Sequence, residues 1–300
     1  MTTTQPARGL AAAIALAAVL GLAACGDVGP GGTATPGVSP GTTSTASPGT
    51  SGTSTAGQLS GIPVYWVAES RKAFRLYREF RTVPDAGGPI ASAVAAMTRM
   101  APLDPDYQTP WRPASTVSVT QSGQALTVDL SADAIANTQV GSELAGTAVQ
   151  QLVYTATAAA SVAGTPATTV TITIDGQPAD AWGVVRLGEP TPRAPMAEVQ
   201  AHAWVTSPQE GDLVSAGPIT FTGFGTSFEA NFPWKVTSTA GAVVAEGSAM
   251  GGTGSGGFGE LTFIATLQPG TYVVEVRTDD PSGGAEGPGA AVDTKTFTVQ

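Results

Sequence analysis

The chain has 300 residues, a net charge of −10, 42% hydrophobic side chains and only 12% charged ones. An excess of acid argues against nucleic acid, which is held largely through Lys and Arg at phosphates. One cysteine excludes an intramolecular disulfide, and one histidine leaves no His pair for zinc and a single candidate base for a Ser-His-Asp arrangement.

Residues 1–24 read as a lipoprotein signal peptide. Their one charge is Arg8, and the apolar run Leu10 to Gly21 is shorter than the roughly 20 residues of a spanning helix. Leu22-Ala23-Ala24-Cys25 looks like a bacterial lipobox, with cleavage before Cys25 and lipid, diacylglycerol and palmitate, on the exposed cysteine. Cys25 is thus expected as the lipidation site, anchoring the protein to the extracytoplasmic face of the cell membrane. The alternative is a secreted protein with an incidental cysteine. Cleavage leaves 276 residues with 12 basic and 23 acidic side chains, net −11, so attachment must rest on lipid, and stable attachment takes two acyl chains.

Residues 25–60 are almost all Gly, Thr, Ser, Pro and Ala, a disordered linker too poor in apolar side chains to offset its ordering entropy. Such a tether spans about 30 Å root-mean-square. It could also be glycosylated.

Residues 61–188 alternate strand and helix signals. Ile62–Ala68 and Phe74–Arg81 read as strands. Gly87-Gly88-Pro89 opens a helix with Ile90, Ala93, Val94, Met97 and Ala101 as its stripe, and Pro102 closes it. Val117 and Val119 face Leu126, Val128 and Leu130 across a Ser122-Gly123 hairpin turn. Ser142 is expected to cap a second helix that ends at Gly164-Thr165-Pro166, and Val170, Ile172 and Ile174 alternate as a strand before the Asp175-Gly176 turn. The expected fold is α+β, a mixed sheet with two helices on one face.

Residues 189–198 form a Pro-rich linker. Beyond it, 199–300 carry seven short strand signals: Ala203–Thr206, Ile219–Phe224, Phe232–Ser238, Val243–Glu246, Leu261–Thr266, Thr271–Arg277 and Thr294–Val299. Seven strands in about 100 residues predict an all-β immunoglobulin-like sandwich.

These residues carry a resemblance. Val64-Tyr65-Trp66-Val67, Arg75 to Val83, Val128-Asp129-Leu130-Ser131 and Gln151 to Thr157, with Val170 to Gly176 closing, resemble the GerMN domain of bacterial sporulation and germination lipoproteins. Ser207-Pro208, Val214 to Pro218, Phe228 to Trp234 and Gly257-Phe258-Gly259-Glu260 resemble the immunoglobulin-like domain of bacterial spore germination proteins. The resemblance implies a non-catalytic envelope domain that associates with other proteins, and supplies no catalytic residues.

Few other residues suggest chemistry. His202 stands near the start of the last domain with no Gly-x-Ser-x-Gly elbow, so it reads as solvated or structural. Gly252-Thr253-Gly254-Ser255-Gly256-Gly257 fits a dinucleotide pattern on paper, but a strand follows where that motif needs a helix. Asp104-Pro105-Asp106-Tyr107 could contribute to a calcium site or be a polar turn, and Asp279 to Gly284 is turn-like. Phe221, Phe224, Phe228, Phe232 and Trp234 could stack on sugar rings or fill the sandwich core. Arg71, Lys72, Arg75, Arg78 and Arg81 crowd eleven positions. Two readings stand for them: an interaction patch for an anionic polymer or acidic partner, or charge that protects an edge strand.

The expectation is a non-catalytic, lipid-anchored scaffold of the cell envelope, in sporulation, germination or envelope assembly. Its partners would be the membrane and other envelope proteins, with no cofactor, no metal and no nucleic acid. The competing reading is a peptidoglycan- or carbohydrate-binding lipoprotein.

Overall fold

The computed structural model describes residues 57–280, 282, 283, 285 and 287–300. The signal peptide, Cys25 and nearly all of the tether lie outside the described residues.

The chain enters through a long hairpin, β1 (Gln58–Ser70) and β2 (Ala73–Pro84), whose turn places Arg71 and Lys72 at φ 53° and 63°. Helix α1 (Pro89–Arg99) follows, with Pro89 in its first turn as the sequence predicts. β3 (Val117–Ser122) and β4 (Ala125–Leu130) pair antiparallel about the Ser122-Gly123 turn, and α2 (Ser142–Val162) leads to β5 (Thr169–Ile174), which lies parallel to β4. Ser142 is not the cap expected of it. Gly141 occupies the cap position, with no side-chain capping bond. The two-residue strands β6 (Asp180–Ala181) and β7 (Val185–Arg186) pair with each other, and β8 (Thr191–Pro192) adds to β5, completing a mixed sheet of order β3-β4-β5-β8.

Resemblance motifs of this half are the stitches between its layers. The outer edge of β1 bonds to α2: Thr155 Oγ1 accepts from the Tyr65 N–H at 3.0 Å, and Gln151 Nε2 donates to the Tyr65 carbonyl at 2.9 Å. Asp129 latches the closing turn, accepting from the Thr173 hydroxyl at 2.6 Å and the Gly176 N–H at 2.7 Å. Trp66, Val94, Met97, Leu126, Val128 and Leu152 fill the core between them.

The second half opens on the one-turn helix α3 (Met196–Val199) and then builds the predicted sandwich. One sheet runs β10 (Leu213–Val214), β16 (Val292–Val299), β15 (Gly270–Arg277), β12 (Asn231–Ser238) and β13 (Val243–Met250). The other runs β14 (Gly259–Leu267), β11 (Gly217–Gly225) and β9 (Ala203–Ser207). All seven predicted strands form. Phe221, Phe232, Val236, Val274 and Phe297 meet between the sheets, with Phe221 stacked on Phe263 at 4.9 Å.

Residues 189–198, read as a linker, are strapped down along their length. β8 pairs with β5, the Tyr154 hydroxyl donates to the Ala194 carbonyl at 2.6 Å, and Arg193 bonds Thr157 while its guanidinium lies 4.6 Å from the Tyr154 ring centre. The cores also meet: Ala201 and Trp204 of the second half belong to the same buried cluster as Trp66 and Tyr77 of the first. The described residues all fall within one compact unit.

Candidate functional site

The junction between the halves is built largely on the basic segment. β2 presents one edge to β1, and its other edge is covered by the second half. The Ala201 N–H donates to the Leu76 carbonyl at 3.0 Å, Arg75 donates to the Glu198 carbonyl at 2.7 Å, and Gln209 closes a reciprocal pair with the Phe80 backbone at 2.7 and 2.9 Å. Arg78 lies over the Phe80 ring at 4.8 Å and 6.0 Å from that of Phe224. Arg81 is only 8% exposed and pairs with Glu79 at 2.8 Å. The five basic residues therefore do not form one free patch. Arg81 turns inward, Arg75 and Arg78 are spent on the junction, and only Arg71 and Lys72 stand at the hairpin tip. The segment is an edge, but packing covers it rather than charge guarding it.

Past this strip lies a sealed ionic cluster that the sequence reading missed. Lys295, 3% exposed, reaches from β16 to Asp104 of the first half at 2.5 Å, to Asp293 at 2.9 Å and to the Tyr107 hydroxyl at 2.6 Å. The Tyr107 hydroxyl donates a hydrogen bond to Asp293 at 2.8 Å, and the Val205 N–H donates to the same carboxylate at 2.8 Å. Burial alone would lower the Lys295 ammonium, but Asp293 and Asp104 hold it above the ordinary lysine range. Burial raises the Asp293 carboxyl, with Lys295 opposing, and raises the Tyr107 phenol further with the help of both carboxylates. Asp104, a candidate for calcium or a polar turn, is thus an interdomain partner of Lys295. The signal was present: on β16 the inward parity that carries Phe297 and Val299 also carries Asp293 and Lys295. Charges on a core-facing parity demand a buried partner.

At the hairpin tip the junction opens. A cleft of about 720 Å³ is lined by Arg71 together with His202, Phe228, Asp279 and Asp280 and the glycines of two loops. His202 is held down to about 4 by burial first and by the Arg71 and Arg75 charges next, so it is neutral at pH 7. Its Nδ1 and the Nε of Arg71 are buried with no hydrogen-bond partner among the described residues. The backbone is strained beside the cleft, with Glu229 and Ala230 at φ 53° and 58°. The Gly252–Gly257 stretch is the loop between β13 and β14, as the sequence predicts, and Gly254 and Gly256 line the cleft.

Of the five clustered aromatics, Phe221 and Phe232 are buried and Trp234 stacks on Phe263 at 4.2 Å. Phe224 packs on Trp204 at 5.1 Å in the junction. Phe228 alone among them is open, 59% exposed, on the rim of the cleft. Among the described residues no group of three or more His, Cys, Asp and Glu is placed to hold a metal ion.

Comparison with known families adds identity to this geometry. Residues 63–180 match the family described as sporulation and spore germination, and residues 202–285 match the immunoglobulin-like domain of bacterial spore germination. The chain carries these two domains in that order. Both descriptions concern spore germination; the cleft draws residues from both matched stretches, while Lys295 and Asp293 of the sealed cluster lie just beyond the second. None of the curated proteins matches the chain. Among solved structures, CopC from Methylosinus trichosporium OB3b is similar at 27% identity over 33% of this chain and 94% of its own, with a TM-score of 0.26. The fibronectin(III)-like modules of Clostridium thermocellum CbhA are similar at 15% identity over 33% and 95%, with a TM-score of 0.23. An engineered protein is similar at 16% identity over 51% and 36%, with a TM-score of 0.27. Among the described residues no helix is long and apolar enough to cross a membrane.

Proposed function

We propose that this protein is a lipid-anchored, non-catalytic envelope component that acts in sporulation, germination or envelope assembly by holding other extracytoplasmic proteins. The germination-type domains support the role in outline. The observation that carries the scaffold reading is the junction itself: two domains locked by a buried ionic cluster and a shared core present their outer surfaces in a fixed relation. A fixed relation is what a scaffold needs, because binding then loses less conformational freedom. Cys25 supplies the anchor in this reading, and the tether sets the reach. An anionic partner would meet Arg71 and Lys72 rather than the whole basic run.

Crosslinking in intact cells followed by pulldown tests the proposal, with Cys25→Ser as the companion variant. Envelope proteins should be recovered above an untagged control, and the variant should lose labelled fatty acid. Recovery of no envelope protein overturns the scaffold role, and wild-type labelling of the variant overturns the anchor.

A further inference from the structure

We infer that the cleft at the hairpin tip is a binding site for a zwitterionic amino compound, a free amino acid or a short peptide with both ends unblocked. Arg71 would take its carboxylate, Asp279 its ammonium group, and Phe228 its side chain.

Charge is the first indication. Arg71 and Asp279 line one cleft, yet neither makes an ion pair among the described residues, so they are too far apart to pair with each other. In the sealed cluster the same kinds of groups close on one another at 2.5–2.9 Å. A cleft that holds opposite charges apart fits a ligand that carries both, since each end is then met by a charge-assisted hydrogen bond. A guanidinium suits a carboxylate because its N–H groups form a planar fork. A neutral glycan would leave both charges without a counter-charge in a partly desolvated site, which is unfavourable.

The remaining lining fits a small polar molecule with an apolar arm. Among the described residues Arg71 Nε–H is a buried donor without a partner, and His202, neutral at pH 7, adds a buried ring nitrogen with no described partner. Thr226, Thr278 and the loop glycines also line the same space. Phe228 offers an exposed ring at the rim. A volume of about 720 Å³ falls within the usual range of small-molecule sites, roughly 300–1,000 Å³. Backbone strain beside Phe228 is a further mark of a functional position.

The inference does not depend on the scaffold reading, because it needs neither lipid nor protein partner. Titration can fail while crosslinking succeeds, and the reverse.

The probe is the dipeptide Ala-Phe, titrated calorimetrically into the full chain in mild detergent. Its N-acetylated form, its C-terminal amide and the trimer of N-acetylglucosamine serve as comparisons. The free dipeptide should saturate at millimolar concentration, and each blocked form should bind about tenfold more weakly, the loss of one charge-assisted bond. Arg71→Asn keeps a residue that tolerates positive φ while removing the guanidinium, and should erase the difference between acid and amide. Asp279→Asn should erase the difference between free and acetylated amine. Both variants should melt close to the wild type. Equal binding of free and blocked dipeptides, saturation by the sugar trimer instead, or no saturation by the dipeptide each overturns the inference.

Discussion

Two parts of one junction use the same chemistry to opposite ends. At the base, Lys295, Asp104, Asp293 and Tyr107 are buried and mutually bonded, so every charge there has its partner inside the protein. At the tip, Arg71 and Asp279 share a cleft without pairing, and two buried nitrogens beside them have no partner among the described residues. The difference lies in closure rather than composition. A closed cluster spends its charges on holding two domains together, and an open one keeps them for something that arrives. The basic run divides along the same line. Arg81 serves the closed interior and Arg71 the open tip, with Arg75 and Arg78 between them on the seam.

The base carries the largest expected effect. Lys295→Met removes the cation and leaves two buried carboxylates facing each other, which should cost about 3–5 kcal/mol of folding stability. Denaturant unfolding would measure it, and a loss below about 1 kcal/mol would mean that the cluster holds little. The same variant should raise amide exchange on both sides of the junction, at Tyr107 as well as Val205.

A smaller effect belongs to the tip. The folded state holds His202 down to about 4 against an ordinary 6.5, through burial first and then Arg71 and Arg75, with Asp279 and Asp280 also facing the cleft. A group whose folded pKa lies below its unfolded value binds protons less readily when folded. The His202 contribution is therefore fully present above pH 6.5 and is lost as pH falls toward about 4. His202→Asn should flatten stability across that window, measured as thermal midpoints against pH. An unchanged slope would show that His202 does not sense the cleft.

Much of this architecture was legible in the chain. The alternation of Val170, Ile172 and Ile174, the Gly87-Gly88-Pro89 helix start and all seven sandwich strands follow from local pattern, because period and turn chemistry are local properties. The junction was far less legible. Gln209 mates with Phe80 and Lys295 with Asp104, pairs separated by 129 and 191 positions, and no local pattern joins them. The prolines of 189–198 read as a boundary, yet Tyr154 and Arg193 fasten that segment to α2 through bonds that composition does not reveal. Only the charges on the inward parity of β16 gave warning of a buried partner. Phe228 resembled its four neighbouring aromatics in sequence, and its exposure follows from the short 3-10 turn at Phe228–Ala230 that turns it outward before β12 begins.

The two germination-type domains behave as one body. Differential scanning calorimetry of the full chain examines this by comparing the calorimetric enthalpy with the van't Hoff enthalpy. A single transition with the two enthalpies equal is the expected result, with Lys295→Met moving it down as one peak or splitting it. Two separate transitions in the wild-type chain, unmoved by Lys295→Met, would mean that the two domains unfold independently.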